Sequence, residues 1–79
     1  MGNVAEIKTA ADGQVVSNPG ILGGTPVFAG TRVPAESLFD YLKRGRSIDY
    51  FLGQFPTVKR EQVESLLDEA KAITLPGHM

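Results

Sequence analysis

The sequence predicts a mostly α-helical domain, in which a three-helix bundle follows a short β-hairpin and other extended elements. Apolar residues recur with helical spacing in three consecutive segments after residue 34, and glycine or proline separates these segments by short links. The second and third segments can form a helix-turn-helix. Ahead of them, residues 18–34 combine four glycines and three prolines with apolar pairs. This composition is typical of tight turns held against a core rather than of a linker.

The N-terminal residues predict a small hairpin. Residues 4–10 and 14–17 flank Ala11-Asp12-Gly13, and Asp-Gly is a hairpin signal because both residues tolerate positive φ. Gly30 marks a second tight turn, between two short extended pieces. The predicted divisions of the chain are a strand or hairpin arm at residues 1–17, a loop with the trihelical domain at residues 18–75, and a tail at residues 76–79.

The first helix is predicted to begin at Pro34, whose missing N–H is not needed in a first helical turn. It ends at Gly45, the residue type favoured just after a helix, and Lys43 and Arg44 complement the negative end of the helix dipole. Its core-facing stripe is formed by Ala35, Leu38, Phe39 and Leu42.

The second helix is predicted between Ser47, a good N-cap, and Pro56. Its apolar stripe consists of Ile48, Phe51, Leu52 and Phe55. The third helix is predicted to begin near Lys59 or Arg60, with Thr57 as a candidate cap, and to end before Pro76. Its apolar stripe consists of Val63, Leu66, Leu67, Ala70 and Ile73.

Length and composition restrict the function classes. With 79 residues the chain forms one domain, and a chain of this size buries only about 60 to 65% of the surface that its unfolded form exposes. It contains no cysteine for a disulfide, so we expect self-association or a stable partner to complete its stability. No apolar run reaches the roughly 18 residues of a membrane span, and we expect a soluble cytoplasmic protein. The net charge of −1 is far from the strongly positive charge of a protein dedicated to binding polyanions.

The residue inventory does not favour an enzyme. The chain has no cysteine nucleophile and no internal histidine to act as a general base, since the one histidine, His78, is the second-last residue. Its acidic residues are scattered over the outer faces of the predicted helices. We therefore assign no catalytic, cofactor-binding or metal-binding residue, and we expect no cofactor and no small-molecule substrate.

One long, ordered motif stands out at residues 19–34, which read Pro-Gly-Ile-Leu-Gly-Gly-Thr-Pro-Val-Phe-Ala-Gly-Thr-Arg-Val-Pro. With this motif the chain resembles a bacterial and archaeal family known as domain of unknown function 433, and the resemblance extends over residues 18–72. Further matching positions are Leu38, Leu42, Gly45, Ser47, Phe55, Pro56 and Val63. The residues carried over from the family motif, here named the signature loop, are Gly24, Pro26, Gly30, Thr31 and Arg32.

The resemblance implies a homeodomain-like three-helix fold behind a short β element. Members of this family are often considered VapB-like antitoxins, encoded beside a toxin with a PIN-like nuclease fold. The resemblance therefore implies a toxin-antitoxin function for this chain. It says little about individual functional residues beyond the signature loop.

Candidate partner-binding residues are the cations beside turns and two tyrosines that fall off the apolar stripes; they are Arg32, Lys43, Arg44, Arg46, Tyr41 and Tyr50. Exposed tyrosine and arginine are favoured as contact anchors. The alternatives are a solvated helix end for the basic cluster, hydrogen bonds from Arg32 to turn carbonyls, and an amphipathic edge of the core for the tyrosines.

The sequence is compatible with three functions. The first is a protein-neutralising antitoxin that forms a homodimer through its N-terminal strand and binds a nuclease toxin through the basic residues. The second is a helix-turn-helix DNA-binding autoregulator that uses Lys59, Arg60 and Arg46. The acidic residues of the third helix disfavour it, because carboxylates near DNA phosphates lower affinity; they are Glu61, Glu64, Asp68 and Glu69. The third is an adaptor whose role is dimerisation.

Overall fold

The computed structural model describes residues 7–74, with side chains through residue 72. Three short strands precede three helices, as the sequence predicts for the helices and the hairpin. The elements are β1 (Lys8–Ala10), β2 (Val15–Ser17), a 3₁₀ turn (Leu22–Gly24), β3 (Val27–Phe28), α1 (Glu36–Lys43), α2 (Ile48–Gln54) and α3 (Arg60–Thr74). Residues 4–6 of the predicted hairpin, the side chain of Ile73, Pro76 and the predicted tail lie outside the described residues.

The strands form one antiparallel sheet in the order β1-β2-β3. The predicted β1–β2 hairpin is confirmed; residues 11–14 form its turn, in which Ala11, Asp12 and Gly13 all have positive φ. The predicted extended piece at residues 27–28 is a third strand that pairs with β2, with Val15 opposite Phe28. The sheet therefore has two faces, because successive residues of a strand point to opposite sides.

One face of the sheet packs on the helices and forms the core. Val15 and Phe28 lie on this face, and the Phe28 and Phe51 rings are 6.1 Å apart between centroids. The buried cluster consists of Ala11, Val15, Phe28, Ala35, Leu38, Phe51, Val58 and Val63. The hairpin is thus built into the core, and the backbone N–H of Ala11 also donates a hydrogen bond to the Glu69 carboxylate of α3.

The predicted end of α1, the predicted N-cap of α2 and the predicted start of α3 near Arg60 are confirmed. In contrast, α1 begins at Glu36 and not at Pro34, which forms a β-bridge with Val27. Gly45 has φ +82° and ends α1, and the hydroxyl of Ser47 accepts the Tyr50 N–H as the N-cap of α2. The predicted Thr57 cap is wrong. Instead, the side-chain oxygen of Gln62 accepts the backbone N–H of Lys59, because a side chain at the third helical position can reach back to the residue that precedes the helix.

One residue of the predicted apolar stripe of α1 faces solvent. Leu38 is fully buried, whereas Phe39 is 39% exposed and lies outside the buried cluster. Successive residues of a helix are about 100° apart around its axis. Since α1 presents Leu38 to the core, the next side chain is turned to the edge of the helix, and the prediction of core packing for Phe39 is corrected.

Candidate functional site

The signature loop is closed by the hydroxyl of Thr31. Its Oγ1 atom donates to the carbonyl of Phe28 at 2.8 Å and accepts the N–H of Val33 at 3.0 Å. The backbone adds the Thr31 N–H to Phe28 carbonyl bond at 2.9 Å, and Gly30 supplies the positive φ of +76° that this turn needs. The loop is therefore held by backbone groups and one short side chain.

Arg32 does not hold the turn together, contrary to one interpretation of the sequence. Its side chain is exposed, and among residues 7–74 it donates no hydrogen bond and forms no ion pair. The reason is that Thr31 already bonds the nearby backbone groups. The five N–H donors of its guanidinium therefore have no partner within residues 7–74.

Arg32 borders an open cleft of about 640 Å³ on the sheet face that points away from the core. Val16 and Val27 are cross-strand partners on this face, one residue along from the core pair of Val15 and Phe28. The full lining is Val16, Ile21, Val27, Gly30, Thr31, Arg32, Val33 and Thr57. The cleft is thus mainly apolar, and among the described residues Arg32 is the one charged residue that lines it.

Two tyrosines and an arginine meet where α1 passes into α2. The Tyr41 and Tyr50 rings are 5.9 Å apart between centroids, and the Arg46 Cζ atom lies 4.8 Å from the centroid of the Tyr50 ring. Tyr50 is 42% exposed, and Lys43 and Arg44, which follow Tyr41 at the end of α1, are exposed as well. These five residues are called the aromatic–basic patch below. A cation over a tyrosine ring is favourable and orders both side chains.

The two tyrosines have different surroundings. Tyr41 is half-buried and makes edge contacts with the rings of Phe51 and Phe55, at 5.4 and 5.6 Å between centroids. For Tyr41 the interpretation as an amphipathic edge of the core therefore applies, although its ring also borders the patch. Tyr50 is the exposed aromatic residue of the patch, as expected for a contact anchor.

The local fold places Arg46 on this patch. The N–H of Gly45 bonds the Leu42 carbonyl and the N–H of Arg46 bonds the Tyr41 carbonyl, which together form a Schellman motif. The motif turns the chain sharply, and Ser47 then starts α2 directly. Arg32, by contrast, lines the cleft on the sheet, and none of the other three predicted cations lines that cleft.

The residues assigned to the DNA-binding alternative are arranged less favourably. Arg60 forms an ion pair with Asp49, and Arg46 is stacked on Tyr50. Lys59 is exposed. The exposed side chains of α3 are Arg60, Glu61, Glu64, Asp68, Lys71 and Ala72. This face therefore carries more acidic than basic groups, which opposes an approach to phosphates.

Gln62 is an important residue that the sequence reasoning missed. Its side chain is only 6% exposed, accepts the Lys59 N–H at 2.9 Å and donates through Nε2 to the Ala29 carbonyl at 3.0 Å. It thereby joins the start of α3 to the turn of the signature loop. A glutamine three residues after the N-cap position was the available signal, although the usual serine or threonine is replaced by Lys59.

Two kinds of site, a metal cluster and a membrane-spanning helix, have requirements that can be compared with residues 7–74. Within residues 7–74, no group of three or more His, Asp or Glu side chains is placed to hold a metal ion. Among the helices of that same range, none has the length and the apolar character to cross a membrane. The features that remain as candidate sites are the cleft and the aromatic–basic patch.

Comparison with known proteins identifies the family. The family described as protein of unknown function (DUF433) matches residues 15–70. The uncharacterized protein y4eO of Sinorhizobium fredii (strain NBRC 101917 / NGR234) is 38% identical over 63 residues, which are 80% of this chain and 28% of that protein. The chain thus spans little more than a quarter of the length of this curated relative. No solved structure matches the chain. Because the match includes the signature loop, β2, β3, α1, α2 and most of α3, the chain belongs to the DUF433 family.

Proposed function

We propose that the protein is an antitoxin-like, protein-binding module that neutralises a PIN-like nuclease toxin, and that it acts as a homodimer. The observation that carries the proposal is the aromatic–basic patch, in which Arg46 covers an exposed Tyr50. A homeodomain-like arrangement of α1, α2 and α3, implied by the family resemblance, belongs to the same proposal. It is supported by three consecutive helices with short links.

The chemistry of the patch fits an acidic protein surface. Tyrosine and arginine are enriched among the side chains that contribute most to protein interfaces. Arg46 lies over Tyr50, the exposed Lys43 and Arg44 add two positive charges at the end of α1, and the carboxylate of Asp49 is paired with Arg60. A nuclease whose catalytic site is built from acids offers the opposite charge, so that association is favoured and oriented.

The size of the chain supports a dimer or a stable partner. A domain of 79 residues without disulfides has a small core, and oligomerisation is a common remedy. β1 is one of the two edge strands of the sheet, and Ile7, which directly precedes it, is 56% exposed. An exposed sheet edge is a ready site for pairing with a second chain. Measurement of the mass in solution at several concentrations tests this part of the proposal.

Co-expression with the product of the adjacent reading frame tests the main proposal. We expect the two proteins to copurify and the chain to suppress RNA cleavage by its partner. A Tyr50→Ala, Arg46→Ala double variant should weaken the complex by about thirtyfold or more, because interface anchors of this type contribute about 2 kcal/mol or more. Lys71→Ala is the matched control, since Lys71 is an exposed cation on α3 outside the patch.

Two results would contradict the proposal. One is that the chain neither copurifies with the neighbouring product nor changes its activity. The other is that the double variant binds as tightly as the unchanged chain. Folding of each variant is checked by its thermal unfolding curve, so that loss of binding is not confused with loss of structure.

A further inference from the structure

We propose that the cleft bordered by Arg32 receives an apolar peptide segment that carries a carboxylate, contributed by the protein partner. This inference rests on the proposed protein-binding function and adds a second contact site with its own chemistry. It concerns the sheet face away from the core, whereas the aromatic–basic patch lies at the junction of α1 and α2.

The walls of the cleft are suited to aliphatic side chains. Val16, Val33 and Ile21 line it and are each half-buried, so they still have apolar surface to bury. The cleft volume of about 640 Å³ is in the range of sites that hold several side chains or a small ligand. Burial of apolar surface is the main favourable term in such contacts.

The positive charge of Arg32 indicates which polar group a ligand of the cleft should carry beside its aliphatic side chains. Arg32 is the one charged lining residue, and none of its donors is used within residues 7–74. Arginine binds carboxylates in a two-pronged geometry that lysine cannot match. The hydroxyls of Thr31 and Thr57 border the same space, although Thr31 is already bonded to the loop. A carboxylate next to apolar groups is therefore the complementary ligand.

The loop that carries Arg32 is ordered before any ligand arrives. Thr31 is fixed through two hydrogen bonds of its hydroxyl, and the N–H of Phe28 bonds the Val33 carbonyl at 3.0 Å across the turn. Val27 further pairs with Pro34 just beyond the loop. A preformed loop lowers the entropy lost on binding, which favours even short segments.

A nucleic-acid strand fits this cleft less well than a peptide. Phosphate binding relies on several cations, and single-stranded binding also uses exposed aromatic rings on which bases stack. Among its lining residues the cleft has one cation and no aromatic ring. The aliphatic lining instead matches valine, leucine or isoleucine side chains.

Titration of the ¹⁵N-labelled full chain with two blocked peptides tests the inference. The probes are acetyl-Val-Asp-Leu-amide and its neutral twin acetyl-Val-Asn-Leu-amide, followed through the backbone amide signals of residues 30–33 and 57. We expect the acidic peptide to shift these signals with a Kd of about 1 mM. The neutral twin should bind about fivefold more weakly, the loss typical of one solvent-accessible charge pair.

Substitutions test whether Arg32 causes the difference in affinity between the acidic and the neutral peptide. Arg32→Gln should remove the preference for the acidic peptide, while Lys71→Gln, at an exposed cation outside both the cleft and the aromatic–basic patch, should preserve it. Equal binding of the two peptides, or no shift of the cleft signals, overturns the inference. An oligothymidylate that shifts the same signals more strongly than the acidic peptide overturns it in favour of nucleic acid.

A dilution series distinguishes a partner protein from a second copy of this chain as the occupant of the cleft. If the cleft signals shift with protein concentration in the absence of peptide, a second copy covers the cleft and the inference is wrong. The peptide titration involves no toxin, so its failure leaves the copurification result intact. Failed copurification together with an acidic-peptide preference would instead overturn the proposed function and retain the chemistry of the cleft.

Discussion

Thr31 and Arg32 are neighbours in the signature loop, but their side chains are used in different ways. The Thr31 hydroxyl bonds two backbone groups of the loop, whereas the Arg32 side chain is exposed beside the cleft. A threonine can make both bonds because its hydroxyl is a donor and an acceptor at once. The threonine therefore stabilises the loop, whereas the guanidinium of Arg32 makes no hydrogen bond or ion pair within residues 7–74.

Replacement of Thr31 by valine tests this division of roles. Thr31→Val keeps the shape but removes the hydroxyl, so we expect the free energy of unfolding to fall by about 1 to 2 kcal/mol. Urea denaturation measures the change. Thr57→Val is the matched control, because Thr57 is exposed and its hydroxyl makes no hydrogen bond within residues 7–74. An equal effect of both substitutions would contradict the role of Thr31.

Gln62 is the second residue whose side chain connects distant parts of the chain. Gln62→Ala leaves the Lys59 N–H and the Ala29 carbonyl without their partner, and we expect a loss of about 1 to 3 kcal/mol in the free energy of unfolding. Gln62→Glu retains an acceptor for Lys59 but cannot donate to Ala29, so it should also destabilise the fold. Gln54→Ala, on an exposed position, should change stability by less than about 0.5 kcal/mol.

At the scale of elements, the helices begin and end where local chemistry dictates. Gly45 has φ +82°, and a Cβ there would meet nothing within 4 Å, so only the backbone conformation requires glycine. Gly53 lies inside α2 with equally open surroundings and no positive φ. The two glycines therefore differ in conformation alone.

Alanine substitutions at these glycines should have opposite effects. Gly45→Ala should destabilise the protein by about 1 kcal/mol, because an L-residue is strained at positive φ. Gly53→Ala should stabilise it by about 0.5 to 1 kcal/mol, because alanine has the higher helix propensity. Thermal unfolding of both variants measures the two changes in stability. Effects of the same sign would contradict the assignment of Gly45 as the residue that ends α1.

A hydrogen bond to Glu69 connects the hairpin to α3. The Ala11 N–H donates to the Glu69 carboxylate across 58 positions of sequence, and Ala11 is 3% exposed. Glu69→Ala should therefore raise the hydrogen-exchange rate of the Ala11 amide about tenfold, by loss of roughly 1.4 kcal/mol of protection. Glu64→Ala, on an exposed position of the same helix, should leave that rate unchanged. Unchanged exchange in Glu69→Ala would mean that the hairpin is held by its apolar contacts.

These connections show which parts of the fold the sequence could predict. The Ser47 cap, the Gly45 helix end and the Asp-Gly hairpin depend on residues a few positions apart, and each was predicted. The Gln62–Ala29 and Ala11–Glu69 hydrogen bonds join residues 33 and 58 positions apart, and nothing local indicates them. The cleft was missed for the same reason, because β2, β3, the signature loop and the link between α2 and α3 form it together.

At the scale of the whole molecule, two candidate contact regions are carried by one small fold. The helix junction presents the aromatic–basic patch, and the far face of the sheet presents the cleft with Arg32. The exposed face of α3 carries more acidic than basic residues, and the chain as a whole has a net charge of −1. Positive charge is therefore local, which suits an acidic protein surface better than a long polyanion.

A salt series distinguishes these two kinds of partner. Binding of duplex DNA through Lys59 and Arg60 would weaken steeply with salt, by a slope of about 0.9 per phosphate contact, and would be lost when both become alanine. We expect fluorescence anisotropy with a duplex from the region upstream of the gene to show only weak binding that these substitutions do not change. Association with the protein partner should slow with salt in the unchanged chain and depend less on salt in a Lys43→Ala, Arg44→Ala, Arg46→Ala variant. Tight DNA binding that disappears with Lys59 and Arg60 would instead favour the helix-turn-helix regulator.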